Sequence, residues 1–102
     1  MAKVIAMYKR PVDAAAFDRY YYTTHVPIAK KIPGLRHYEI TSGPVTTLEG
    51  PAPYHLIAML TFDSLAAIQA ALGTPEGQAT AADLGNCATG GVDLYIADTR
   101  AI

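Results

Sequence analysis

Eight basic and nine acidic side chains in 102 residues leave a formal net charge of −1. Neither sign dominates and no basic run extends beyond Lys30-Lys31, so nucleic acid and anionic membranes are not expected as partners. With 51% apolar and 17% charged residues, the composition excludes a disordered tail and fits one soluble domain over 1–102, with more apolar surface than a small domain hides by itself.

The first element is a mostly apolar strand from Lys3 to Lys9, ended by Arg10-Pro11, where a proline would interrupt a ladder. Asp13 is an N-cap for a helix through Ala14-Ala15-Ala16. At 100° per residue, Phe17, Tyr21, Thr24 and Ile28 share its inner face. Pro27 lacks an N–H and biases Val26 away from helical dihedrals, so a kink or restart is expected there, with His25 at the break. Pro33-Gly34 signals a turn, Leu35–Ser42 reads as the second strand, and a loop rich in Thr, Gly and Pro follows. Tyr54–Phe62 is the strongest strand signal, apolar on both alternating faces. Asp63-Ser64 opens a short helix carrying Leu65, Ile68 and Leu72 on one side, closed by Gly73. Thr74-Pro75-Glu76 supplies an N-cap, a proline at the first helical position and an acid in the first turn of a segment running toward Cys87. After Gly90-Gly91, the last strand, Val92–Ala97, puts Val92, Leu94 and Ile96 on one face and Asp93, Tyr95 and Ala97 on the other.

This order is β-α-β-β-α-β with the second helix split, the pattern of an α+β, ferredoxin-like sandwich with its helices on one face of the sheet. Ile57 and Met59 lie opposite Leu56, Ala58 and Leu60, so the other face is apolar too. A second copy packed sheet to sheet is the simplest cover. The result would be a symmetric homodimer, a dimeric α+β barrel, with ligand cavities lined by strand residues.

Cys87 is the single cysteine and cannot close an intrachain disulfide; with no signal-peptide pattern at the N-terminus, a cytoplasmic protein is expected. The longest uninterrupted apolar run, Leu56–Leu60, is strand length, so no membrane segment is expected. No phosphate loop, nucleophile elbow or His-Glu-x-x-His pattern occurs, and His37 and His55 have no Cys or carboxylate pair at ligand spacing. Neither cofactor nor metal is expected.

Three stretches resemble the EthD family and together span nearly the whole chain: Phe17-Asp18-x-Tyr20-Tyr21-x-x-x-His25-x-Pro27-Ile28-Ala29, Pro33-Gly34-Leu35-x-x-Tyr38-Glu39, and Thr74-Pro75-Glu76-Gly77-Gln78 through Asp83-x-x-Asn86-x-Ala88-Thr89-Gly90-Gly91. The resemblance implies a dimeric α+β barrel and a role in bacterial breakdown of a fuel ether or other xenobiotic beside an oxygenase system. The superfamily also holds heme-degrading and polyketide monooxygenases and muconolactone isomerases, so fold alone does not choose a reaction. Both kinds of monooxygenase commonly use a tryptophan, which is absent here, and no histidine follows His55 to bind heme.

Methylmuconolactone methylisomerases share a helix-end histidine and a strand-two tyrosine matching His25 and Tyr38. They use a cysteine on or just after the third strand, whereas Cys87 lies on the C-terminal helical segment.

His25 and Tyr38 are therefore the candidate catalytic pair. At the edge of a buried stripe His25 is suited to acid or base work, and Tyr38 to orienting a ligand oxygen. The plainer readings are a histidine bonded to a frayed carbonyl and a core tyrosine with a backbone partner. Tyr8, Tyr21, His55 and Asp83 are candidate ligand contacts. Asp83 and Asn86, three apart, suit an acceptor for His25 or, as the favoured reading, a hydrogen-bonded cap. Cys87 reads as packing. The ligand expected is a small apolar or aromatic compound. A cofactor-independent isomerase, cyclase or lyase and a non-catalytic accessory binder are both compatible with this inventory.

Overall fold

A computed structural model describes residues 1–102. The strands are β1 (Ala2–Lys9), β2 (His37–Ile40), β3 (Thr46–Thr47), β4 (Gly50–Pro51), β5 (Tyr54–Phe62) and β6 (Val92–Asp98). The helices are α1 (Ala14–Tyr20), a π-helical turn at Tyr21–His25, α2 (Val26–Ala29), α3 (Leu65–Leu72) and α4 (Pro75–Cys87). The main sheet is antiparallel in the order β2-β5-β1-β6, the ferredoxin-like arrangement. Three predicted caps are present, with Asp13, Ser64 and Thr74 accepting from the N–H groups of Ala16, Ala67 and Gly77.

Four features differ from expectation. First, the chain does not break at Pro27: Val26 keeps helical dihedrals at φ −57°, ψ −48°, and its N–H bonds the Tyr21 carbonyl five residues back. The π turn absorbs the proline by slipping the hydrogen-bond ladder one residue. Second, that slip changes the inner face, so Phe17, Tyr21, His25 and Ala29 are buried, whereas Thr24 and Ile28 are only half-buried. Third, β2 is shorter than Leu35–Ser42, and the Thr-, Gly- and Pro-rich loop folds back as the small β3–β4 hairpin. Fourth, the β1–β5 register shifts at Tyr8/Lys9: Leu56 pairs with Tyr8 and Tyr54 with Lys9, leaving His55 as the extra residue of a bulge.

The core lies between the sheet and the helices. Alternate residues of the two central strands, Ala2, Ala6 and Tyr8 of β1 and Leu56, Ala58, Leu60 and Phe62 of β5, meet Phe17, Tyr21, Ala29 and Ile68 there. The split second helix packs tightly on itself at Gly77, where a Cβ would run into the Ala71 carbonyl. On the opposite face Ile5, Met7, Ile57 and Met59 are half-buried, and the register places Tyr95, 57% exposed, beside Ile5. No helix is long and apolar enough to cross a membrane.

Candidate functional site

The helix-covered side of the sheet contains a cavity of about 90 Å³, mostly apolar, onto which Tyr8, Tyr21, His25 and Tyr38 converge. Strand alternation sends Tyr8 from β1 and Tyr38 from β2 to this face. The widened turn presents Tyr21 and His25 from above, their rings stacked at 5.3 Å. Tyr8 stands edge-on to both. Candidates up to 30 residues apart in sequence thus share one pocket.

His25 is 3% exposed, and its contacts fix its proton. Nδ1 lies 2.8 Å from Asp83 Oδ2. Asp83 Oδ1 accepts from Tyr20 Oη at 2.6 Å and Asn86 Nδ2 at 3.2 Å. Burial pushes the Asp83 carboxyl up, but the hydrogen bonds from Tyr20, His25 and Asn86 outweigh it and hold the group below the usual carboxylate range. Asp83 is therefore ionised and can only accept, so Nδ1 carries a proton and Nε2 is the ring nitrogen left to face the cavity side, available for acid or base work. Nε2 faces Tyr8 Oη at 3.4 Å, a long contact. The cap reading of Asp83 gives way to its reading as the His25 acceptor, because the first turn of α4 is capped by Thr74 and Asp83 lies two turns further on, facing the π turn.

Tyr38 Oη and Tyr21 Oη are 2.6 Å apart, and either can donate. Burial pushes the phenols of Tyr8 and Tyr21 well above the ordinary tyrosine value and raises that of Tyr38, so all three stay protonated.

Cys87 is 2% exposed, with Sγ 3.7 Å from His25 Nδ1. Burial, with Asp83 adding to it, pushes its thiol up to about 11, which suits packing rather than nucleophilic work. His25, Asp83 and Cys87 nonetheless bring three potential metal-ligand atoms within 4.8 Å of one another. Sequence spacing does not show this trio, because Asp83 and Cys87 reach His25 across 58 and 62 residues. A metal there would have to displace both the Nδ1 proton and a thiol proton held tightly by burial.

His55 is not in this pocket. The bulge turns it toward α1, where Nε2 meets Asp18 Oδ1 at 2.8 Å and the ring stands edge-on to Phe17. There it lines a separate, more polar cleft of about 400 Å³ beneath the β3–β4 hairpin, with Arg10, Asp18 and Tyr22. Sequence reasoning missed Tyr20, whose hydroxyl braces Asp83. Its signals are an aromatic beside the buried stripe and its place in the first of the three family-like stretches.

The family model that matches this chain is the EthD domain, over residues 9–90. A protein of Rhodococcus erythropolis, described as an uncharacterised 11.0 kDa protein in the thcB-thcC intergenic region, is 37% identical over 103 residues, covering 100% of this chain and 98% of its own. An ethyl tert-butyl ether D (EthD) family protein of Bacillus halodurans C-125 superposes with a TM-score of 0.90 at 35% identity, over 98% of this chain and 99% of that one. A dimeric ferredoxin-like protein from Jannaschia matches with a TM-score of 0.66 at 18% identity, over 96% and 98% of the two chains, and shares the fold. On the family match and both relatives above 30% identity, the chain belongs to the EthD family.

Proposed function

We propose that this protein binds a small apolar or aromatic compound in the cavity between sheet and helices, and that His25 moves a proton on it while Tyr38 contacts its oxygen. The observation that carries the reading is the convergence of His25, Tyr8, Tyr21 and Tyr38 on one apolar cavity. The long Tyr8 contact leaves Nε2 easily redirected to a ligand. Isomerisation, cyclisation or elimination without a cofactor would suit one base and one O–H donor. The proposed setting is breakdown of a xenobiotic ether or an aromatic beside an oxygenase system in a bacterial cytoplasm, and of these the name of the Bacillus relative's family supports the ether alone.

Histidine-resolved NMR against small aromatics, lactones and aldehydes tests this reading. His25 should respond to one compound class while exposed His37 stays silent, and His25→Ala should lower turnover of that class by ~10²–10⁴. The second reading is a non-catalytic binder, favoured by the fact that His25 and the Tyr38 hydroxyl already have protein partners. Saturable binding with no product would select it. An absence of any binding would remove both.

The assembly proposed is a homodimer packed through Ile5, Met7, Ile57 and Met59, closing a barrel-like core. Its supports are the apolar character of that open face and the dimeric Jannaschia neighbour. Light scattering at micromolar concentration should give twice the chain mass for the wild type and a monomer for Met59→Glu. A monomeric wild type would remove the shared sheet.

A further inference from the structure

Resting on the reading of the cavity as a ligand site, we infer that it selects a neutral compound offering one acceptor oxygen, such as a ketone, aldehyde, ether or ester, and rejects organic acids.

Charge carries the first half of the argument. Neither Lys nor Arg lines the cavity. A carboxylate, Asp83, stands directly behind the wall residue His25 at 2.8 Å from Nδ1. Protonating His25 would only balance that carboxylate, leaving nothing to compensate a second anion in an apolar space. The start of α4 also reaches the wall, at Gly77, but that N–H already goes to Thr74 Oγ1 at 3.0 Å, so the helix terminus offers no spare donor there.

Hydrogen-bond accounting carries the second half. Five wall residues have polar side-chain atoms: Tyr8, Tyr21, His25, Tyr38 and Thr80. Thr80 Oγ1 donates to the Glu76 carbonyl at 2.9 Å. With Nδ1 committed to Asp83, the Tyr8 proton goes to His25 Nε2, its one side-chain hydrogen-bond partner. The Tyr21–Tyr38 contact uses one of that pair's two protons. One phenolic O–H is left over, and a single acceptor oxygen on the ligand satisfies it.

Size narrows the class. About 90 Å³ is less than the ~150 Å³ that accommodates benzene, so the enclosed part of the ligand is roughly four or five heavy atoms. This favours the apolar over the aromatic half of the proposed ligand class, an aromatic ring entering only in part. Leu72 and Leu94, 42% and 49% exposed, are the exposed large apolar residues of the wall, with exposed Ala81 beside them in the lining, and an apolar extension would leave past them.

The test uses three probes with one five-atom skeleton, 2-butanone, 2-methyl-1-butene and propionate, titrated into the full-length protein with cavity resonances followed by NMR. The ketone should bind roughly tenfold more tightly than the alkene, the worth of one hydrogen bond. Propionate should bind roughly a hundredfold or more below the ketone, as a buried unpaired charge requires. The double variant Tyr21→Phe with Tyr38→Phe should keep the alkene and lose the preference for the ketone. Equal binding of alkene and ketone, or propionate at or above the ketone, overturns the ligand class while the cavity stands as a site. Silence with all three overturns the ligand-site reading and this inference together. If the double variant does not fold, the wild-type ratios decide.

Discussion

Two histidines in this molecule hold a carboxylate at 2.8 Å, yet the two pairs differ in everything around that distance. In His25–Asp83 the side chains are 4% and 7% exposed; in His55–Asp18 they are 25% and 49% exposed. Burial makes the first pair consequential. Asp83 must use its lone pairs on Tyr20, His25 and Asn86, because no water competes for them, and the imidazole proton is thereby assigned. Around His55 water can replace Asp18 at little cost. A continuous aromatic run connects the pairs, from His25 to Tyr21 to Phe17 to His55, with ring centroids 5.3, 5.6 and 5.2 Å apart. One packed column thus ends in a buried base on one side and a solvated histidine on the other, and distance alone would not separate their roles.

The largest expected effect breaks this comparison at its acidic members. Asp83→Ala strands the donors of His25, Tyr20 and Asn86 and should cost about 3 kcal/mol of unfolding free energy. Asp18→Ala should cost less than about 1 kcal/mol. Urea unfolding of the two variants measures both, and equal losses would mean that burial does not set the difference. The same contrast has a pH signature. The folded-state pKa of Asp83 is depressed by its hydrogen bonds, so its contribution is fully present above the unfolded value of about 4 and disappears as pH falls through the lower folded value. The stability gap between wild type and Asp83→Asn should therefore narrow below about pH 4. A gap that is constant down to acid unfolding would contradict an ionised, hydrogen-bonded Asp83.

How much of this was legible in the sequence depends on the range of the cause. Asp13, Ser64 and Thr74 cap helices through contacts three residues away, so their roles show in the local pattern. Alternation along Tyr54–Phe62 and Val92–Ala97 fixes which residues face the helices, and with it the place of Tyr38 and Tyr8 relative to the core. Two local irregularities escape such patterns. The π turn moves the buried face from Thr24 and Ile28 to His25 and Ala29, and the bulge turns His55 toward α1. Both are one-residue slips, settled by tertiary packing rather than by propensity. The partners of His25 are hidden for a different reason: Asp83 and Cys87 reach it only after α4 has packed on the π turn, and no spacing rule joins residues that far apart.

The smallest expected effect concerns one proton, and it sharpens the comparison without disturbing the fold. If an ionised Asp83 holds Nδ1–H of His25, nitrogen-detected NMR of the imidazoles should show His25 as the Nδ1–H tautomer, with Nε2 unprotonated. Asp83→Asn exchanges a carboxylate for an amide that can turn its NH₂ toward Nδ1, which should drive the proton to Nε2 and remove the base that faces Tyr8. Tyr20→Phe removes one of the two donors on Asp83 Oδ1 and should move His25 only part of the way, its two nitrogen resonances drawing closer together. His55 answers to Asp18 and should change in neither variant, which makes it an internal control. A wild-type His25 protonated at Nε2, or one indifferent to Asp83→Asn, would show that the buried pair specifies the imidazole proton no better than the solvated one does.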